Sequence, residues 1–472
     1  MGGLFEDRFP GEIAVVNARF QSSTEDDVRL AIRAARSAFE GWRSTEYRSR
    51  CDIFEKAADL LSEKKHAMAA MTTLENGKNR YEAMADVDEA IDFLRYYPSR
   101  MRRNKGYVTE MPPPYPNEHP RDLLKPYGTW GIISPFNFPW AIMAGMSTGA
   151  MVTGNTVVVK PSSDAPWPAL AMAEILEEAG LPPGVFNVVT GPGGRIGRAL
   201  VEDPAISGLA FTGSREVGMG SLMAFKRERP RPFIAEMGGK NAVIVTNEAD
   251  MDEAVEGVGR AAFGYGGQKC SACSRVIVQK GIAHDFVRLL KEWTEKLVVG
   301  DPREKETFLG PLINEVALQR YEQSVKSARA SGRIETGGKA LSSRELKGYY
   351  VEPTVVTGLK ADHELAEREL FLPFLCVLEV PSLEEGVELA NRSDYGLTAG
   401  IMSRSGAEVD YFMDNIEAGT VYANRRSGAS TAAMVGSQPF VGWKMSGSTG
   451  KAAGGRYYLH QFMREQSQTR CL

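Results

Sequence analysis

The stretch Gly264-Tyr265-Gly266-Gly267-Gln268-Lys269-Cys270-Ser271-Ala272-Cys273-Ser274 sets two cysteines three apart among small residues. That pattern is open to metal ligation, to dithiol redox exchange, or to attack by one thiolate beside a bystander. A metal site needs three or four ligands, and none of the five histidines lies near this stretch in sequence. No metal is expected. A redox pair would fit the spacing, but the spacing alone is a weak signal for it. Cys273 reads as a buried bystander. Cys270 follows a Gly-Gly-Gln-Lys loop and precedes Ser271, where a helix start or tight bend would expose a thiol and offer backbone amides. A thiolate so placed could attack a carbonyl carbon.

Such a nucleophile needs rigid elements behind it. Residues 24–41, TEDDVRLAIRAARSAFEG, predict a helix with Thr24 as cap, acidic residues in its first turn, and Val28, Ala31, Ile32, Ala35 and Phe39 on one face. Two more helices are expected over 47–75 and 80–101. MPPPYPNEHPRD (111–122) then interrupts with five prolines and reads as a linker or an arm lying on a neighbour. Beyond it, strand and helix alternate. Apolar runs such as NTVVVKPS, GVFNVVTG and ISGLAFTGS mark buried strands of a parallel sheet covered on both faces. The pattern restarts after Gly238-Gly239 with NAVIVT, a helix over 248–264, RVIVQ and a helix over 281–297. Further strands are expected at 350–358 and 371–380, and a helix near 383–390. The fold class is α/β with two units, the first over 1–105 and 124–236 around an arm at 106–123, the second over 237–440. The run 457–463, Tyr-Tyr-Leu-His-Gln-Phe-Met, alternates and suggests a strand added to another subunit's sheet.

Bulk composition narrows the class. The 472 residues include 56 basic and 60 acidic ones, a formal charge of -4, which does not suit a nucleic-acid binder. Five cysteines in so long a chain do not make a disulfide scaffold. No basic-then-apolar leader opens the chain, and no apolar window is long enough for a membrane span. A soluble, cytoplasmic protein is expected.

The companion segments decide the cysteine. GGQKC, Glu236-Met237-Gly238-Gly239-Lys240, SPFNFP (134–139), VVVKPSSDAP (157–166), AFTGS (210–214), Glu369-Leu370-Phe371 and QPFVGWKMSG (438–447) resemble, in order, the motifs of the aldehyde dehydrogenase superfamily. The resemblance covers nearly the whole chain. It implies a Rossmann-like cofactor domain (1–105 and 124–236), a second α/β catalytic domain (237–440), an oligomerisation arm (106–123), and a return of 441–472 to the cofactor domain with a C-terminal oligomerisation strand. It also implies roles. Cys270 forms a thiohemiacetal, Asn137 and the Cys270 amide cradle the oxyanion, and loss of hydride to the nicotinamide leaves a thioester. Glu236 then activates water as general base.

The same resemblance assigns the cofactor to Lys160, Ser163, Gly213, Ser214, Glu369, Phe371 and Phe136. Gly213 and Ser214 open a helix whose free amides suit a pyrophosphate. The glycine run GPGGRIG (191–197) is expected to be a turn and packing loop rather than a dinucleotide fingerprint. Ser163 stands where strictly NAD-using relatives carry a glutamate, so NAD is expected, with NADP tolerated. C-S-A-C-S-R, AFTGSREVG, AEMGGKNA and SGSTGKAAGGRYYLHQF are similar to the branch that oxidises L-glutamate γ-semialdehyde, the open form of 1-pyrroline-5-carboxylate, in proline catabolism. That likeness puts the substrate against Ser271, Ala432, Ala433 and Phe440. Here the chain departs from the branch. Thr431-Ala432-Ala433 replaces Thr-Gly-Ala, Phe440-Val441-Gly442 replaces Phe-Gly-Gly, and Phe371-Leu372-Pro373 replaces Phe-Gly-Pro. Another small or acidic aldehyde is therefore the alternative substrate. The resemblance further implies a homo-oligomer, a dimer or a multiple of dimers.

Overall fold

The computed structural model describes residues 2–344, 346–426 and 434–471. Ala432 and Ala433 lie outside the described residues. Two mostly parallel sheets organise the chain. In the first, five parallel strands run in the order Phe186–Val188, Thr156–Lys160, Thr129–Ile133, Gly208–Thr212, Phe233–Glu236. Successive side chains of a strand face opposite ways, and the cores follow that alternation. Val157 and Val159 join the cluster containing Trp130 and Ile132, whereas Val158 joins Leu209 and Phe211 on the other face.

Helix α1 (Glu25–Ser44) sets Val28, Ile32 and Ala35 into the second of those faces, whereas α2 (Tyr47–Asn76) and α3 (Arg80–Arg103) build the first. Thr24 caps α1 as the sequence predicts, and Asp27 returns the bond to the Thr24 amide. A fourth, α4 (Ala141–Val152), is buried on nearly every side. Its glycines permit that closeness, since a Cβ at Gly149 would lie 2.8 Å from the Phe462 ring.

The second sheet has seven strands, in the order Arg333–Thr336, Thr354–Thr357, Phe374–Val380, Cys273–Gln279, Asn241–Val245, Thr398–Met402, Thr420–Ala423. Only the first pair is antiparallel. The expected strand over 350–358 is split at Pro353, and that over 371–380 starts at Phe374, because Phe371 turns the chain at φ +60.

A third sheet is small and antiparallel. Met463–Cys471 pairs along its whole length with Glu118–Pro126, which pairs on its other side with Val108–Glu110. The arm thus extends into residues beyond 123. The expected strand at 457–463 is not one. Tyr458–Phe462 is a 3-10 turn whose Tyr458, Leu459 and Phe462 are buried with Tyr97 and Trp130. Gln461 is buried beside them, and four buried residues in five break any alternation. The terminal strand begins where it ends. No helix among the described residues is long and apolar enough to cross a membrane.

Candidate active site

The first sheet reverses its strand order between Thr129–Ile133 and Gly208–Thr212. Ligands of open α/β sheets bind at the carboxyl ends of strands beside such a reversal. Four strands deliver the expected residues there. Ile133 leads to Phe136 and Asn137, Lys160 ends its strand with Ser163 following, Thr212 leads to Gly213 and Ser214, and Glu236 ends the fourth.

The nucleophile arrives from the second sheet. The helix Met251–Phe263 stops at Gly264, and Tyr265, Gly266 and Gly267 follow with φ of 49, 60 and 66°. Three left-handed residues in succession turn the chain sharply enough to present Cys270 ahead of the strand Cys273–Gln279. Tyr265 is the strained member, held by its hydroxyl, which donates to the Asn76 carbonyl at 2.8 Å. A Cβ at Gly267 would come within 2.0 Å of the Leu372 carbonyl oxygen. Gly267→Ala is therefore expected to lower the melting temperature measured by calorimetry and to depress turnover. The left-handed backbone alone costs about 1–2 kcal/mol with a side chain, before the clash is relieved. Unaltered melting and turnover would show that the loop has another path past Leu372.

Asn241 fixes the far side of the loop. Its Nδ2 donates to the carbonyls of Cys270 (2.7 Å) and Ala272 (3.0 Å), and its Oδ1 accepts from the Thr398 amide at 3.0 Å. The AEMGGKNA motif contains this asparagine, but its partners lie too far along the chain for the motif to mark it as a brace.

Cys270 is half-buried, and Cys51, Cys273 and Cys376 are buried. Cys273 turns its thiol toward the Arg275 carbonyl, 3.3 Å away, inside the second core, so it is a packing residue. Burial holds the Cys270 thiol well above its ordinary pKa, Glu369 and Glu236 add to the rise, and the Ser271 and Cys270 amides oppose it. Those two amides are the groups that would meet developing negative charge. Burial likewise pushes the Glu236 carboxyl well up, with the Gly442 amide opposing, and Glu236 Oε2 is buried without a hydrogen-bond partner. The Glu369 and Glu236 carboxyls thus both oppose ionisation of the Cys270 thiol. Ser446 braces the base from outside. Its carbonyl accepts from the Met237 amide at 2.8 Å and its hydroxyl donates to Gly238 at 2.7 Å.

Asn137 is 2% exposed, and its side chain makes no hydrogen bond among the described residues. Phe136 meets Phe371 edge to face at 5.9 Å. Glu369 accepts from the Gly239 amide at 3.1 Å and fills the space a Cβ at Gly238 would take. Burial raises its pKa to about 7.

The remaining residues fit a dinucleotide. Lys160 is 4% exposed, and among the described residues its ammonium donates only to the adjacent Pro161 carbonyl at 2.6 Å. Burial brings its pKa down to about 8, with Asp164 opposing. A buried ammonium so sparsely partnered suits a ligand's hydroxyls. Ser214 caps the helix Arg215–Lys226 through the Val217 amide, leaving other first-turn amides for an anion. Ser163 is already engaged, donating to the Gly191 carbonyl at 2.9 Å. The run 191–197 forms a π turn over Gly193–Gly197, whose Gly197 faces the Lys160 stem, so it packs against that lysine.

Ser271 is buried, and its carbonyl accepts from Thr398 Oγ1 at 3.2 Å. Phe440 is half-buried and bridges to Ala453. Among the described residues no cluster of three or more His, Cys, Asp or Glu could hold a metal ion.

The family model described as the aldehyde dehydrogenase family matches residues 10–468. The 1-pyrroline-5-carboxylate dehydrogenase of Geobacillus thermodenitrificans is 38% identical over 456 residues, 95% of this chain and 87% of that one. A solved 1-pyrroline-5-carboxylate dehydrogenase from Thermus with bound NAD superposes at TM-score 0.95 and 34% identity, covering 100% of this chain and 91% of that one. Proline utilization A from Bdellovibrio bacteriovorus, inactivated by N-propargylglycine, superposes at TM-score 0.94 and 34% identity. This chain is covered fully there but spans only 49% of that longer protein.

Proposed function

This chain belongs to the aldehyde dehydrogenase family, an NAD(P)-dependent oxidoreductase of aldehydes, and from that premise we propose that it oxidises L-glutamate γ-semialdehyde to L-glutamate. The observation that carries the reaction is the Cys270 thiol standing against the carboxyls of Glu236 and Glu369. Support for the substrate comes from likeness to 1-pyrroline-5-carboxylate dehydrogenases over 95% of the chain.

In the proposed cycle the Cys270 sulfur bonds to the aldehyde carbon, and the carbonyl oxygen becomes an oxyanion. Asn137 and the Cys270 amide donate to it. Each such donor contributes roughly 3–4 kcal/mol in hydrolases where one has been removed. The thiol gives its proton to water as it attacks, an ionisation that the Glu369 and Glu236 carboxyls oppose. When bound, NAD supplies the two-electron oxidant that converts the thiohemiacetal to a thioester. Lys160, the Ser214 helix start and Glu369 would hold it, with Phe136 and Phe371 beside Glu369. Glu236 then draws a proton from water, the hydroxide attacks the thioester carbon, and the C–S bond breaks to release the carboxylic acid. Ser271, with Phe440 and the Ala432-Ala433 loop, would receive the amino-acid end.

A second reading, oxidation of another small or acidic aldehyde, draws on Ala432, Val441 and Leu372 at positions where the branch pattern has glycine. The deciding assay follows reduced-dinucleotide formation with 1-pyrroline-5-carboxylate, succinic semialdehyde and a simple aliphatic aldehyde at matched concentrations. Preference for the first, with NAD favoured over NADP, is expected. Turnover of another aldehyde alone would overturn the substrate and leave the mechanism. The antiparallel sheet of 108–110, 118–126 and 463–471 is further proposed to assemble the chain into a homo-oligomer.

A further inference from the structure

The two halves of the oxyanion hole come from different sheets. Asn137 follows a strand of the first, and Cys270 precedes a strand of the second. Something must fix their separation, because a misplacement of about 1 Å can cost roughly 100-fold in rate. Residues 76–86, spanning the α2–α3 junction, contact both segments.

Lys78 and Asp86 are both 0% exposed and form an ion pair at 3.2 Å. Asp86 Oδ1 also accepts from the Ala141 amide at 3.0 Å, which pins the start of α4 just beyond Asn137. The Lys78 ammonium lies 3.7 Å from the centre of the Phe138 ring, next to Asn137, and 5.2 Å from that of Tyr265, in the nucleophile loop. One turn before Asp86, Glu82 pairs with Lys269, the residue before Cys270. Asn76 completes the frame, its Nδ2 donating to the Phe136 carbonyl at 3.1 Å while its own carbonyl accepts from Tyr265. A buried ammonium costs far more than a packed methylene chain unless its partners are held in place. Here the partners are the two loops that carry the chemistry.

We propose that Lys78 is a positioning residue whose buried ammonium, acting through Asp86, Phe138 and Tyr265, sets the register between Asn137 and the Cys270 amide. This rests on the aldehyde dehydrogenase reading of those two groups. Lys78 touches neither substrate nor sulfur. Removing its charge loosens the oxyanion hole and leaves the thiol as it was.

The test compares two reactions of Cys270 that need no dinucleotide. Acylation by p-nitrophenyl acetate bonds sulfur to the acyl carbon, develops an oxyanion, and expels p-nitrophenolate. Alkylation by iodoacetamide bonds sulfur to a methylene carbon, expels iodide, and develops none. Three variants are used on the full chain: Lys78→Met, Lys78→Met with Asp86→Asn, and Phe138→Leu. The single Lys78 variant strands Asp86 without its counter-ion and should melt earlier than wild type, whereas the double variant restores melting. Both are expected to acylate roughly 100-fold more slowly, with alkylation unchanged. Phe138→Leu keeps the ion pair and folds without a stranded charge, so it covers the case in which the Lys78 variants do not fold. It should slow acylation roughly tenfold, the scale of a desolvated cation–π contact.

Recovery of acylation together with melting in the double variant would make Lys78 merely structural and overturn the proposal. So would an equal fall in alkylation, or Phe138→Leu acylating like wild type. Wild-type protein that alkylates but never acylates would instead refute the oxyanion hole itself, and with it the catalytic reading.

Discussion

Glu236→Gln is expected to release one equivalent of reduced dinucleotide per active site in a burst and then to turn over roughly 10²–10⁴-fold more slowly than wild type, the usual contribution of a general base. Gln keeps the shape of the side chain at the end of its strand but cannot accept a proton from water. The thioester on Cys270 should accumulate, visible by mass spectrometry of the intact protein. Steady-state turnover within twofold of wild type would show that another group activates the water.

The same substitution carries two pH signatures. Burial pushes the Glu236 carboxyl well above its ordinary value of 4.5, so the basic form gains population only as pH climbs through the raised value. Wild-type deacylation should rise along that limb, and the Gln variant should be flat. Stability follows with the opposite sign. Above 4.5 the unfolded chain gives up this proton while the folded chain keeps it, so the folded state binds more protons and wild-type stability falls with rising pH. Glu236→Gln removes the loss. It should therefore melt later than wild type at neutral pH and show little advantage below 4.5.

The candidate site was legible in the sequence because its residues sit on motifs at the ends of strands. Alternation located those strands, and the residues following their carboxyl ends then fell together at one crevice. What could not be read was whatever depends on distant partners. The ion pairs Lys78–Asp86 and Glu82–Lys269 join α2, α3 and the nucleophile loop across separations that no local period reports. The left-handed turn at Tyr265 is similarly hidden, since tyrosine has no preference for positive φ. Ser163 was legible as a missing glutamate, but its hydrogen bond to Gly191 was not. At 457–463 alternation misled, because six or seven residues can satisfy a period of two and a helical face at once.

Cys270→Ala should abolish turnover, a loss on the order of 10⁶ where a covalent nucleophile is removed from a protease. Loss of activity alone would not separate a nucleophile from a structural cysteine, and labelling does. Among the five cysteines, Cys51, Cys273 and Cys376 are buried, Cys270 is half-buried and Cys471 is exposed. Burial raises the pKa of Cys51, Cys273 and Cys376 as well, and none of them adjoins both carboxyls. Wild-type protein should thus take up iodoacetamide at Cys270 and Cys471, and the Ala variant at Cys471 alone. Bound substrate aldehyde should protect only Cys270. The rate at Cys270 should climb with pH, since its thiol is held protonated by burial and by Glu369 and Glu236. In Glu236→Gln one of those negative neighbours is gone, so the climb should begin at lower pH. A pH profile indifferent to Glu236, with Cys270 no more protected by aldehyde than Cys471, would place the two residues in separate chemistry and remove the basis for a shared site.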